Sequence, residues 1–151
     1  MSSKAQSGVG AVFSVSATGT GTFVPVGDIT SAPYKAGELG TVSTTNLQSV
    51  TEEIAPTLQK LGTIPLKGNR VSTDPGQALL YNNFQAVPKV PIFWKLQLPV
   101  NEVAGQTTTG DLFSGTAWVL SYEIDDVEPT KVVTFTTNLT VIGAATFVEG
   151  S

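Results

Sequence analysis

Two adjacent carboxylate pairs, Glu52-Glu53 and Asp125-Asp126, are the side chains of this sequence best suited to acid–base chemistry. A general acid and a general base must converge on one substrate. Neighbours on an extended strand point to opposite faces, so neither pair converges if extended. Both read instead as solvated turns or a helix start, where the helix dipole favours Glu52 and Glu53. Asp125, Asp126 and Glu128 offer oxygen ligands for Ca²⁺, but their spacing lacks the alternating donors of a calcium loop. The sequence has no His and no Cys, which removes the imidazole base, the thiolate nucleophile and the usual zinc, copper and haem ligands. Gly8-Val9-Gly10 and Gly19-Thr20-Gly21 fall far short of a phosphate-cradling fingerprint. Lys89 and Lys95 flank Phe93 and Trp94, a pattern that can stack bases, yet two lysines in an acidic protein make no basic groove. Trp94 and Trp118 read as core residues. The expectation is a protein that is not an enzyme and uses no cofactor and no metal.

Composition points to a different kind of work. The net charge is −4 and the pI about 4.6, which disfavours tight binding to phosphate backbones. Charged residues make up only 13% of the chain, against roughly 25% in an average soluble domain. Mean hydropathy is nevertheless positive, at +0.14. A weakly charged, partly apolar exterior aggregates unless something covers it, and self-assembly is the simplest cover. No stretch approaches the roughly 18 apolar residues of a spanning helix, and Met1 to Gly10 has no apolar core of a secretory signal. The expectation is synthesis in a cytoplasm and retention there until assembly, with no membrane partner.

The elements that must position these residues are mostly strands. Residues 1–8 read as a flexible arm, and residues 9–151 as one domain, a size that buries about 70% of its unfolded surface. Alternation of Val9, Ala11, Phe13, Val15 and Ala17 predicts a strand, with Gly19-Thr20-Gly21 turning it into a hairpin with Phe23 to Ile29. Pro25 belongs on an edge. Residues 31–50 read as a long polar loop, a feature that usually has a job such as binding a neighbour. Ile54, Leu58 and Leu61 recur at helical spacing behind a potential cap at Thr51, although Pro56 opposes a helix. Thr63 to Val71 reads as a strand. The firmest helix opens at Asp74 as N-cap, with Pro75 in the first position and Gln77 at capping-box spacing, and ends before Pro88. Val90, Ile92, Trp94, Leu96 and Leu98 share one strand face. Trp118, Leu120, Tyr122 and Ile124 are expected to share a face of the next strand, and Phe135, Leu139 and Val141 a face of the last, which Gly143 interrupts. The fold class predicted is mainly β, a β-sandwich or barrel with one flanking α-helix.

The ordered series Gly27-Asp28-Ile29-Thr30-Ser31-Ala32-Pro33, Glu38-Leu39-Gly40-Thr41-Val42-Ser43-Thr44-Thr45-Asn46-Leu47, Glu53-Ile54, Leu61-Gly62-Thr63-Ile64-Pro65-Leu66-Lys67-Gly68-Asn69 and Asp74-Pro75-Gly76 resembles the major tail tube proteins of long-tailed, lambda-like phages. Leu139-Thr140-Val141-Ile142-Gly143 looks like that family's last strand. Pro56, Pro65 and the weakly acidic 38–45 stretch depart from the pattern. The resemblance implies a hexameric ring whose sheets join into a continuous β-barrel around a lumen. Rings would stack into a tube in the virion that conducts DNA, with tape measure and tail terminator or tip proteins as further partners. It also implies that segment 31–50 reaches the adjacent ring, which makes Glu38, Leu39, Thr41, Val42, Thr44, Leu47 and Gln48 the candidate interface. Six copies at −4 each carry −24, which discourages DNA from sticking to a pore it must slide through. Glu123, Asp125 and Asp126 are the candidate acidic lumen residues, among Thr, Ser and Asn. A tube subunit of a contractile injection system shares this fold. A carbohydrate-binding or adhesion sandwich would need exposed aromatics on one concave face, whereas Trp94, Trp118 and Tyr122 are expected on apolar faces.

Overall fold

The computed structural model describes residues 4–48 and 50–151. Residues 1–3 of the expected arm, and Ser49 of the expected loop, lie outside the described residues. Eight antiparallel strands form one sheet: β1 Val12–Ser16, β2 Val24–Pro25, β3 Ile29–Ser31, β4 Lys35–Ser43, β5 Ile54–Asn69, β6 Ile92–Gln97, β7 Leu112–Asp125 and β8 Thr134–Val148. Their order is β2-β1-β6-β7-β8-β5-β3, and β4 pairs with β5. One α-helix, α1, spans Pro75–Gln85. The architecture is mainly β with one flanking helix, as the alternation of the sequence predicts, and the sheet is curled into a half-barrel.

Chain connectivity forces the sheet to curl. Laid flat, β2 and β3 at its two ends would stand roughly 29 Å apart, six strand spacings. Only Val26, Gly27 and Asp28 join them, and that link spans about 15 Å at most. The two ends must therefore approach each other, and the inward face closes on itself. Phe13 and Val15 from β1, Ile64 and Leu66 from β5, Ile92 and Trp94 from β6, and Phe135, Leu139 and Val141 from β8 accordingly share a single core. Trp94 is fully buried at its centre, stacked on Phe13 and tilted against Tyr34.

Helix α1 packs on the open side of the curl. Asp74 caps it: one carboxylate oxygen accepts the Gln77 N–H at 2.9 Å and the Gly27 N–H at 3.1 Å. The expected capping box is half made, because the Gln77 side chain turns away from the cap. Fully buried, it donates to the carbonyls of Gly27 and Asn69 and accepts from the Val71 N–H and the Arg70 guanidinium. All four of its side-chain hydrogen-bond positions are filled. Gln77 thus ties the helix both to the end of β5 and to the link that closes the sheet.

Two regions differ from the sequence reading. Segment 31–50 is no loop at its centre, for Lys35–Ser43 is a strand paired with Ile54–Thr63. The helical spacing of Ile54, Leu58 and Leu61 likewise belongs to a strand, β5. The face expected for Trp118, Leu120, Tyr122 and Ile124 is also broken. Val119 pairs with Leu139 and Ser121 with Asn138, so Leu120 is the extra residue of a bulge. Inward positions are odd before the bulge (Ala117, Val119) and even after it (Tyr122, Ile124), by their pairing with inward residues of β8. Trp118 therefore points outward and is 38% exposed rather than buried in the core.

Candidate functional site and assembly surfaces

The most unusual surface is the ribbon made by β4 and the first half of β5. Among the described residues β4 pairs with β5 alone, and β8 reaches β5 only from Thr63 onward. Nine residues of strand carry the ribbon about 30 Å away from the core. Leu39, Val42, Ile54 and Leu58 are more than half exposed along it, and Leu47 and Val50 are fully exposed at its tip. A two-stranded hairpin with no packed face is marginal in water, so this surface is one to be covered.

The root of the ribbon needs glycine. A Cβ on Gly62 would lie 1.4 Å from the Lys35 carbonyl oxygen, and one on Gly37, at φ +107°, would lie 2.0 Å from that of Lys60. Close approach of the two backbones is thus built in where the ribbon leaves the body. Further out, Glu38 stands opposite Lys60, Leu39 opposite Gln59, Thr41 opposite Pro56 and Val42 opposite Ala55. The Thr44 N–H closes the ladder on the Glu53 carbonyl at 2.9 Å, and the Gln48 N–H bonds the Asn46 carboxamide oxygen at 2.8 Å in the tip. All seven candidate interface residues, Glu38, Leu39, Thr41, Val42, Thr44, Leu47 and Gln48, lie on this one projection. The returning strand contributes Ile54, Leu58 and Leu61, which sequence reasoning missed. Pro56 was the signal against a helix there.

A second surface is the outward face of the sheet. Thr63, Pro65 and Lys67 of β5, Thr134, Thr136, Asn138 and Thr140 of β8, and Ser121, Glu123 and Asp125 of β7 share it by cross-strand register. The bulge at Leu120 is what turns Glu123 and Asp125 to this side. Thr136 donates to Asp125 at 3.2 Å and Thr134 to Asp126 at 3.1 Å. Asp126 opens the following turn at φ +59° and makes an exposed ion pair with Lys131 at 3.7 Å. Glu123, Asp125 and Asp126 are therefore brought to one end of a hydroxyl-rich face, with Lys67 across β8 from Glu123. Among the described residues, no three His, Cys, Asp or Glu side chains gather at metal-binding range. No helix among them is long and apolar enough to cross a membrane.

A polar hollow beside Lys67, Asp125 and Asp126 marks this outward face, and two further hollows lie away from it. One, of about 230 Å³, lies between the end of α1 and the 118–120 stretch of β7, lined by Phe84, Val90, Trp118, Val119 and Leu120 with Asn83 and Lys89. The other, about 810 Å³, is the gap left between β1 and β3 at the closing edge of the sheet. Beside it, Lys4 and Gln6 of the N-terminal arm bond to Asn101 and Pro99.

No protein-family model matches the chain, and no curated protein matches it by sequence. Solved structures do match, over nearly the full length of this chain. A chain of the tail of an empty GTA particle, refined with C6 helical symmetry, aligns over 95% of this chain and 99% of its own at TM-score 0.68 and 16% identity. A chain of the SPP1 tail tube aligns over 93% of this chain and 76% of its own at TM-score 0.65 and 16% identity. This is the tail-tube fold. A chain of the anti-feeding prophage baseplate, 6-fold symmetrised, shares the tail-tube fold at TM-score 0.73 and 12% identity, covering 99% and 98%.

Proposed function

We propose that this protein is the repeating structural subunit of a phage-type tail tube. Six copies close into a ring, rings stack, and DNA passes through the lumen of the finished virion. The observation that carries this reading is the agreement of the fold with the tail chain of C6 symmetry, end to end, and with the SPP1 tail tube over 76% of that chain. The uncovered ribbon supports it physically. A projection that exposes this much apolar surface needs a partner in every copy, and head-to-tail contacts between identical chains supply one in closed rings and stacks. Free strand edges on β5 and β8 give neighbours backbone groups to pair with. A tape measure protein inside the tube and terminator or tip proteins at its ends are the further partners of such a subunit.

The hydroxyl-rich outward face, with Glu123, Asp125 and Asp126, is the surface we assign to the lumen. Acidic groups repel the phosphate backbone and leave DNA free to slide. Changing Glu123 or Asp125 to Lys is expected to slow DNA ejection while rings still form, read as ejection kinetics from assembled particles.

Negative-stain imaging of the purified protein over a concentration series tests the reading as a whole. Annuli or tubes of uniform diameter are expected, and a particle that stays monomeric at every concentration overturns it. A second reading, the tube of a contractile injection system, is favoured by a match to a chain of the sheath-tube complex of an extracellular contractile injection system. Genes for a sheath beside the coding sequence distinguish it.

A further inference from the structure

We propose that the ribbon tip of one copy seats in the hollow beside Trp118 of a second copy, with Leu47 and Val50 filling it and Glu52 and Glu53 meeting Lys89. The inference rests on the self-assembly reading and adds which two surfaces meet. Three observations support it. The tip stands about 30 Å from the core of its own chain, so its fully exposed Leu47 and Val50 have no cover within the copy. The hollow has the matching chemistry: Phe84, Val90, Trp118 and Leu120 line 230 Å³, and a cavity of about 150 Å³ already admits a benzene-sized group. Charge then selects this hollow over the others. The tip carries Glu52 and Glu53 two and three residues after Val50. The larger gap between β1 and β3 presents Asp28, and the polar hollow on the outward face presents Asp125 and Asp126 with a single Lys67, so both repel the tip or gain little from it. The Trp118 hollow has Lys89 as its charged group and no carboxylate in its lining. The Lys89 ammonium lies 4.9 Å over the Phe84 ring and donates to the Phe84 carbonyl, which holds a positive charge at the rim.

The absence of cysteine makes the contact directly testable. The double variant Leu47→Cys with Leu120→Cys, assembled and then oxidised, is expected to give a ladder of disulfide-linked multimers that reductant collapses. Each single variant is expected to run as monomer. Assembled tubes without a ladder overturn the proposal and leave the tube reading standing. So does a ladder formed by Leu47→Cys with Val12→Cys, which would put the tip in the larger gap. If the cysteine variant does not assemble, charge exchange decides. Lys89→Glu is expected to raise the concentration at which tubes first form about ten-fold, and adding Glu52→Lys and Glu53→Lys to return it to within about two-fold. Failure of that return overturns the contact. Wild-type protein that never assembles sinks both this inference and the reading beneath it.

Discussion

The body and the ribbon of this protein are built from the same strand, β5, and obey opposite rules. From Thr63 to Asn69 the strand is paired on both sides, and Ile64 and Leu66 are fully buried beneath it. From Ile54 to Leu61 it pairs on one edge, and its large apolar side chains face water. The body satisfies itself within one copy: aromatic rings stack on Trp94, and Gln77 fills every hydrogen-bond position it has. Within the copy the ribbon is held by its backbone ladder and by the Thr45 hydroxyl on the Glu53 backbone, with no buried apolar face beneath it. The folding core and the surface proposed for assembly thus lie in separate parts of the chain, so substitutions should separate the two.

The largest expected effect is on the body. Trp94→Ala removes the side chain at the centre of the core and is expected to cost about 3–5 kcal/mol in denaturant unfolding. A loss below 1 kcal/mol would mean that the core does not converge on this residue. Next comes Gln77→Leu, which keeps the volume but leaves the Val71 N–H and the carbonyls of Gly27 and Asn69 without their partner. Its expected cost is about 2–3 kcal/mol, with loosened protection of the Gly27 region in hydrogen exchange.

Tyr122→Phe sharpens the comparison more gently. The Tyr122 hydroxyl is buried and makes no hydrogen bond among the described residues, so its removal is expected to change stability by less than about 1 kcal/mol at neutral pH. Burial raises the Tyr122 phenol above its ordinary value, the Arg70 charge partly offsets this, and Asp74 and Tyr81 add to it. The folded protein thus keeps this proton to higher pH than the unfolded chain does. The resulting stability is complete below about pH 10 and is lost as pH rises from there through the folded value. Tyr122→Phe is expected to flatten that alkaline decline in a pH series of thermal melts. The smallest effect on folding belongs to the ribbon. Leu58→Ser is expected to leave monomer stability within about 0.5 kcal/mol while raising the concentration needed for tubes. A destabilised monomer would show instead that the ribbon helps hold the body.

What the sequence disclosed follows the same division. The alternation of Ile92, Trp94 and Leu96 was legible because one face of β6 is buried, and burial imposes a period of two. Helix α1 was legible because Asp74 and Pro75 are local signals that need no tertiary partner. The ribbon was not. With neither face buried, nothing imposes alternation on Ile54, Leu58 and Leu61, and their spacing fitted a helix by accident. Lys35–Ser43 carries too few large apolar residues to announce a strand. The candidate interface residues nonetheless fall together on one projecting segment.

Composition alone determined that no imidazole and no thiol is available and that charge on the surface is sparse. Local pattern determined the helix, the central strand and the mainly β class, because those depend on neighbours in the chain. Only the tertiary structure decided that Trp118 faces outward, that Glu123 and Asp125 join the hydroxyl-rich face, and that 35–61 stands free as a ribbon. Each of these depends on register against another strand. One extra residue at Leu120 reverses every side chain beyond it, and that slip is decided by pairing with β8 rather than by anything written near Leu120 itself.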